Sequence, residues 1–435
     1  MTVRIGILIG TMAGGGAQRV ALDLMEHLPQ AGFEPFLLSV DQLGGALAGA
    51  PSDLRLDDNH VLALSRGRVD RPTWRKVAAS PRQLMRLREV SRRLELDVVL
   101  SLMERANIIN LLGGGGPRRI VSVHSYPRLM MAEKTWLKRT LIRAMYSTVL
   151  HRADRVVFVS QEAALAAPGV FPAPPQRTEV IYNICDPERV ERLVRSPLPA
   201  EHARLFDEPV VLACGRLIPS KGHANLIRAM AALRGRPARL VILGEGPSRP
   251  ALLRLVEELD LADRVFLPGF QANPLAWMAR SHVFALPSHR EGLPLVLLEA
   301  MAAGAAVVAA DCSSGPREIL APDTDPRAKA TRADWAPYGV LTPPLACGPV
   351  EPAEQALSDA IGTLLEDEPV RARYVQAGRE RARDFAPGRI IPLWASLIET
   401  VLHESGRREP ASSRARGGEP VSPAARSGAS TREAH

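Results

Sequence analysis

Ser288-His289-Arg290-Glu291-Gly292-Leu293-Pro294-Leu295-Val296-Leu297-Leu298-Glu299-Ala300-Met301-Ala302-Ala303-Gly304 sets two carboxylates eight positions apart across the start of a helix. Pro294 suits the first helical position, where no backbone N–H is lost. The run Leu295 to Ala303 reads as a buried helix closed by Gly304. Glu291 then sits in the loop before the helix, and Glu299 about a turn and a half inside it. Between them lie free N–H groups and the positive end of the helix dipole, a place for an anion such as a diphosphate. Taken alone, acids so spaced are a loop carboxylate and a charge on a solvated face. Glu299, however, lies within an apolar run, where a carboxylate is rarely left unpaired. That placement favours a site built to hold hydroxyls on either side of a phosphate.

At 435 residues the chain exceeds one ordinary core, and two domains are expected. Strand-like runs alternate with helical ones, which predicts parallel sheets covered on both faces. The first series is Val3–Gly10, Phe33–Val40, Asp97–Leu102, Arg119–Val123, Arg155–Ser160 and Glu179–Tyr182. The second is Pro209–Cys214, Arg239–Leu243, Val265–Leu267, Val283–Ala285 and Ala306–Ala309. Asp186 to Glu208, proline-containing and poor in apolar residues, reads as an interdomain linker. Closing helices are expected over 369–384 and 389–403, followed by a disordered tail over 404–435.

Hydrophobic and charged contents of 46% and 23% are usual for a soluble globular protein. The scattered Cys185, Cys214, Cys312 and Cys347 suggest neither a disulfide framework nor a zinc site, and a reducing cytosol fits. Val3 to Gly10 runs straight into Gly14-Gly15-Gly16, so it reads as a first strand rather than a signal peptide, and no run is long enough to span a bilayer.

The net charge of +8 is uneven: residues 61 to 155 hold 20 Lys and Arg against 7 Asp and Glu. Trp136, Leu137, Leu141, Ile142, Met145 and Tyr146 recur at helical spacing beside Lys134, Lys138, Arg139 and Arg143. Such a helix can lie on anionic lipid or turn its apolar face to a core, and periodicity does not separate the two. No nucleic-acid-binding module accompanies the charge.

Gly215-Arg216-Leu217-Ile218-Pro219-Ser220-Lys221-Gly222 follows a strand and precedes a helix. It puts two cations at the carboxyl end of a parallel strand, where ligands of such sheets bind. Together Arg216 and Lys221 can neutralise a diphosphate leaving group. Leu243-Gly244-Glu245-Gly246-Pro247 is a tight turn whose glycines need serve only the turn, and Asp311 to Glu318 can line the same cleft. In the first half, Gly14-Gly15-Gly16 marks the first strand–helix junction, but Arg19 stands where a dinucleotide fingerprint needs its third glycine. That disfavours a dehydrogenase, despite Asp41 at the end of the second strand. His124 ends a strand facing the expected cleft, where a sugar-contacting role and an ordinary hydrogen-bonded histidine both fit.

Together these motifs resemble the retaining glycosyltransferases of family 4, from Val3 to about His403. The resemblance rests on Gly215-Arg216-Leu217…Lys221-Gly222, Leu243-Gly244-Glu245-Gly246-Pro247 and Glu291…Glu299-Ala300-Met301-Ala302-Ala303-Gly304. Gly15-Gly16…Arg19, Val180-Ile181-Tyr182-Asn183 with Asp186, and Gly315-Pro316-Arg317-Glu318-Ile319 add to it. It implies an α/β GT-B fold, two doubly wound Rossmann-like domains facing a central cleft. The acceptor domain would be 1–188, the donor domain 189–384, and 385–403 a helix packing back on the first domain.

By the same resemblance, Arg216 and Lys221 would bind the diphosphate, Glu299 the ribose and Glu291 the donor sugar, with Gly292, Leu293 and Leu295 beside them. Gly15, Gly16 and His124 would face the reacting sugar from the acceptor side. Many members carry glycine where this chain has Pro294, which withdraws an N–H from the phosphate. The expected enzyme is a metal-independent, retaining hexosyltransferase without a cofactor. It would move a sugar from a nucleotide-sugar, a UDP-sugar first, to a lipid-linked or polysaccharide acceptor of bacterial type. A cytoplasmic protein with peripheral contact at the plasma membrane is expected, and no nucleic acid. A small natural-product acceptor, or a non-catalytic module that only binds nucleotide-sugar, are the alternatives.

Overall fold

The computed structural model describes residues 2–11, 15–41, 60–64, 80–113, 115–126, 135–136, 139–140, 144, 149–170, 177–349 and 351–406. The first sheet has β1 (Val3–Ile9), β2 (Phe33–Ser39), β3 (Val61–Ala63), β4 (Val98–Leu102), β5 (Arg118–Val123), β6 (Arg155–Phe158) and β7 (Thr178–Val180). All pairs are parallel, in the order β3-β2-β1-β4-β5-β6-β7. The second has β8 (Val210–Cys214), β9 (Arg239–Leu243), β10 (Val265–Gly269), β11 (Val283–Leu286), β12 (Ala306–Ala310), β13 (Asp334–Ala336) and β14 (Gly339–Thr342). Its order is β10-β9-β8-β11-β12-β14-β13, parallel except for the edge hairpin β13–β14. Strands covered on both faces have no polar side to alternate with, hence unbroken runs such as Ala306 to Ala310.

In each sheet the order reverses beside the first strand, between β1 and β4 and between β8 and β11. Ligands of open α/β sheets settle at such switch points, outside the carboxyl strand ends. The loop after β1 ends at Gly15, with Gly16 opening the helix that follows, and the loop after β8 carries Gly215 and Arg216. Both glycine loops therefore stand where the topology opens a crevice.

Helices α1 (Gly16–His27), α2 (Ser80–Arg93), α3 (Glu104–Gly113) and α4 (Gln161–Ala166) belong to the first half, and α5 (Pro187–Val194) follows β7. In the second half come α6 (His223–Ala231), α7 (Arg249–Glu258), α8 (Leu275–Met278), α9 (Leu295–Ala303), α10 (Pro316–Leu320), α11 (Glu351–Glu366) and α12 (Glu368–Ala382). Last, α13 (Pro387–Gly406) packs on α1, and Arg155 of β6 holds its Glu404 at 2.6 Å. One apolar cluster runs from Ile7 and Val157 through Cys185, Val190 and Leu293 to Leu297, Val307 and Ile398. The halves thus share core as well as a cleft.

Several expectations need correction. Pro294 is not the first helical residue but the cap before it, with φ −76° and ψ 95°. Asp186 to Glu208 is not a bare linker. Asp186 caps α5 by accepting from Glu188 and Arg189, Pro187 opens the helix, and Val190 is buried. The prolines there start structure rather than break it, and α5 spans the boundary expected at 188. Strands β3, β13 and β14 are three or four residues long, too short for periodicity to show. Helix α11 also went unread. The tail expected from 404 begins later: residues 404–406 complete α13, with Glu404 held by Arg155, and from 407 onward the chain lies outside the described residues.

Candidate active site

The site grows from the loop after β8. Gly222 closes its 3-10 turn Pro219–Lys221 at φ 66°, and a Cβ there would lie 1.8 Å from the Pro287 carbonyl oxygen. Only glycine lets the two loops come this close. The approach continues as the His289 amide donates to the Ser220 carbonyl at 2.9 Å. It brings Lys221 Nζ to 2.6 Å from Glu291 Oε1, both side chains mostly buried. Arg216 is exposed and has no ion pair among the described residues. Lysine has three donors, so Glu291 leaves Lys221 capacity for a phosphate oxygen.

Helix α9 begins just beyond, with no side chain capping its first amides. Its N-terminal N–H groups and dipole are open to an anion. Glu299, in the second turn, is 18% exposed and lies 3.7 Å from Arg189 of α5. Arg189 also bonds Asp23 of α1 at 2.7 Å, and Asp23 takes Arg19 at 2.5 Å. One charge network thus ties α1, α5 and α9 together. Burial raises the Glu299 carboxyl above the usual carboxylate range, and Arg19 opposes that shift.

Across the cleft, exposed Gly15 and Gly16 precede and open α1, Gly15 with φ 142°. His124 follows β5, and its Nε2 lies 3.0 Å from Ser122 Oγ. Burial lowers its pKa to about 4, so the ring is neutral at pH 7. A Cβ on Gly292 would fall 2.2 Å from the His124 carbonyl oxygen. His124 and Gly292 therefore meet face to face between the halves. Leu293 and Leu295 are buried, and the Leu293 carbonyl accepts from Asn183 at 3.3 Å.

The structure brings Lys221, Glu291, Gly292 and His124 together, and joins Glu299 to a network the sequence reading missed. Arg189 was hidden in a supposed linker, although its capped helix start was a usable signal. The glycines of Leu243 to Pro247 serve the turn: a Cβ on Gly244 would lie 2.0 Å from the Gly215 carbonyl oxygen. Arg317 does not line the cleft, because it is spent on buried Asp311 at 2.5 Å. Asp41, the acid weighed for a dinucleotide ribose, is paired with Arg105 at 2.7 Å.

Among the described residues, Glu26, His27 and Asp186 have ligand atoms within 4.8 Å of one another, a grouping that could hold a metal ion. It lies where α1 meets α5, on elements that carry neither Lys221 nor Glu291. Trp136 is 71% exposed, whereas Lys134, Leu137, Lys138, Leu141, Ile142, Arg143, Met145 and Tyr146 lie outside the described residues. No helix among the described residues is long and apolar enough to cross a membrane.

Residues 14–189 match the family described as Glycosyltransferase Family 4, and residues 195–332 match Glycosyl transferases group 1. The chain is 28% identical over 387 residues to a Campylobacter jejuni N-acetylgalactosamine-N,N'-diacetylbacillosaminyl-diphospho-undecaprenol 4-alpha-N-acetylgalactosaminyltransferase, covering 88% of this chain and 95% of that protein. It is 32% identical over 312 residues to a Mycolicibacterium smegmatis GDP-mannose-dependent alpha-(1-6)-phosphatidylinositol monomannoside mannosyltransferase, covering 68% and 72%. Among solved structures, Anabaena HepE in complex with UDP superposes with a TM-score of 0.70 at 20% identity, over 92% of this chain and all of that one.

Proposed function

The chain belongs to the family 4, group 1 glycosyltransferases with a GT-B fold, and from that membership we propose that it moves a sugar from a UDP-sugar to a hydroxyl of a lipid-linked saccharide with retention of anomeric configuration. The observation that carries the reading is the pairing of Lys221 with Glu291 at 2.6 Å beside the uncapped start of α9. A diphosphate seated there meets Lys221, Arg216 and the helix end, so the charge that builds as the sugar departs is met by fixed positive groups. Glu299 holds the ribose hydroxyls and Glu291 those of the donor sugar. Gly292, Leu293 and Leu295 form the wall beside them. His124, neutral at pH 7, faces the transferring sugar from the acceptor half together with Gly15 and Gly16. Retention is taken from the resemblance to the retaining family.

A lipid-linked acceptor is supported by the names of both relatives, which carry undecaprenol and phosphatidylinositol. Their donors differ, and UDP is favoured by the HepE complex. The test is incubation of the purified chain with a panel of UDP- and GDP-sugars, with and without short lipid-linked saccharides, followed by mass spectrometry. Transfer or slow hydrolysis of a UDP-sugar is expected. No turnover of any donor would mark a module that binds sugar nucleotides without acting on them.

The same assay checks the metal. Turnover is expected to survive EDTA, because Lys221 and Arg216 supply the positive charge that Mg²⁺ would otherwise bring to a diphosphate. Loss of activity with rescue by Mg²⁺ or Mn²⁺ would overturn that account.

Peripheral membrane contact through the basic first half is a further part of the proposal, resting on the local balance of +13 over residues 61 to 155 and on the exposed Trp136. Each basic residue near an anionic surface adds about 1 kcal/mol, screened by salt. Sedimentation with phosphatidylserine vesicles should therefore fall as salt rises, and fall again when Lys134, Lys138, Arg139 and Arg143 are neutralised. Indifference to these vesicles at low salt would leave the basic face a solvated surface.

A further inference from the structure

The segment from Asp311 to Glu318, a loop that runs into α10, belongs to the second half, yet its far end is bound to the first. Glu318, 5% exposed, accepts through Oε2 from the Gln161 amide at 2.6 Å and the Tyr182 hydroxyl at 3.1 Å. Its Oε1 accepts from the Glu162 amide at 3.0 Å. All three donors come from the first half. A second tie runs beside it, from Lys329 to the Glu162 carboxylate at 3.0 Å. The loop is stiff on its own side: Asp311 Oδ2 takes Arg317 and the Ala330 amide at 2.6 Å, and Arg381 donates to the carbonyls of Glu318 and Ile319.

The middle of this loop carries the site. The Glu291 amide donates to the Ser313 carbonyl at 2.9 Å, and the Ser314 amide to the Glu291 carbonyl at 3.3 Å. Ser314 Oγ donates to the Gly292 carbonyl at 2.8 Å and stands 3.1 Å from Ser160 Oγ of the first half. A shift of the first half therefore pulls on the backbone of Glu291 and Gly292 through a short chain of hydrogen bonds.

We propose that Glu318 is a positioning residue: by gripping the amides of Gln161 and Glu162 it closes the two halves and, through Ser313 and Ser314, sets Glu291 and Gly292 for the transfer. The proposal rests on the glycosyl-transfer reading for its consequence in turnover, but not for the contact itself. Opening would strip a buried carboxylate of three donors, which resists separation until water can replace them. Closure and alignment of Glu291 then become one event, since both depend on the same loop.

Hydrogen exchange on the full chain, with Glu318→Ala and Glu318→Gln, tests it. In Glu318→Ala, exchange at Gln161, Glu162 and Glu291 should rise at least tenfold, while the amides of β8 and β11 stay unchanged. Glu318→Gln keeps one carbonyl acceptor and should rise less. UDP affinity by calorimetry should stay within twofold of wild type, because the donor groups lie in the second half. Turnover of the accepted UDP-sugar should drop at least tenfold. Ser314→Ala should lower turnover and deprotect Glu291 while Gln161 and Glu162 remain protected.

Unchanged exchange at Gln161 and Glu162 in Glu318→Ala would overturn the grip. Deprotection there with Glu291 still protected, or with full turnover, would overturn the coupling. If the wild-type chain turns over no sugar nucleotide, the transfer reading fails by itself, and the exchange pattern still decides for or against the grip and its link to Glu291.

Discussion

Lys221→Ala and Arg216→Ala are each expected to lower turnover of the sugar nucleotide about 10²–10³-fold, the usual loss when one preorganised electrostatic contact to a developing charge is removed. The two variants fail for different reasons, which makes the pair informative. Lys221 is bonded to Glu291 at 2.6 Å in a mostly buried setting. Its removal leaves the Glu291 carboxylate without its partner and, on the proposed reading, takes away a phosphate contact as well. Arg216 is exposed and has no ion pair among the described residues, so its loss disturbs little of the fold. A thermal melt close to wild type with a large loss of turnover is therefore expected for Arg216→Ala. Steady-state kinetics together with melting curves check both. Near-normal turnover in the two variants would remove these cations from the mechanism.

Glu299→Gln is expected to weaken UDP binding by about 1.5–3 kcal/mol, the range for a hydrogen bond made to a charged group. That corresponds to about 10- to 150-fold in affinity. The amide keeps the shape of the side chain, and Arg189 retains Asp23 at 2.7 Å, so the network that joins α1 to α5 survives the change. Calorimetry with UDP reads the effect without any need for turnover. Burial raises the Glu299 carboxyl, so acidification protonates it before an ordinary carboxylate. The wild type should therefore lose UDP affinity as pH falls through that raised value, and Glu299→Gln should lack this limb. Unchanged affinity in the variant would contradict a ribose contact.

Much of the architecture was legible along the chain because its causes are local. Strands covered on both faces need continuous apolar runs, so Val3–Ile9, Arg239–Leu243 and Ala306–Ala310 stand out without any knowledge of their neighbours. Glycines in the loops that follow strands mark where backbone must pass close to something else, and Gly222 after the 3-10 turn and Gly292 before α9 fulfil that at contacts no side chain would permit. The spacing of Glu291 and Glu299 across a helix start is likewise a matter of one turn geometry. Proline is ambiguous for a local reason: it favours the beginning of a helix as readily as it breaks one, so Pro187 opens α5 inside the stretch expected to be a linker, and Pro294 stands at the cap, one position before the helix start expected of it.

What only the tertiary structure decided are the partnerships that join distant segments. Arg189 reaches Asp23 across 166 positions, Gln161 reaches Glu318 across 157, and the His124 carbonyl lies against Gly292. Such contacts leave no periodicity in the sequence, since each is a single polar group on a different element. They come into being when two separately wound sheets are set against each other, and a buried charge must then find its partner on whichever surface arrives. The sequence by itself determined the two sheets and the residues at their switch points. The pairing of β8 with β11 within one sheet decided that Lys221 faces Glu291, and the mutual placement of the two sheets decided that Arg189 joins Asp23 to Glu299 and that Glu318 grips the opposite half, because those energies exist only once water has been excluded between the surfaces.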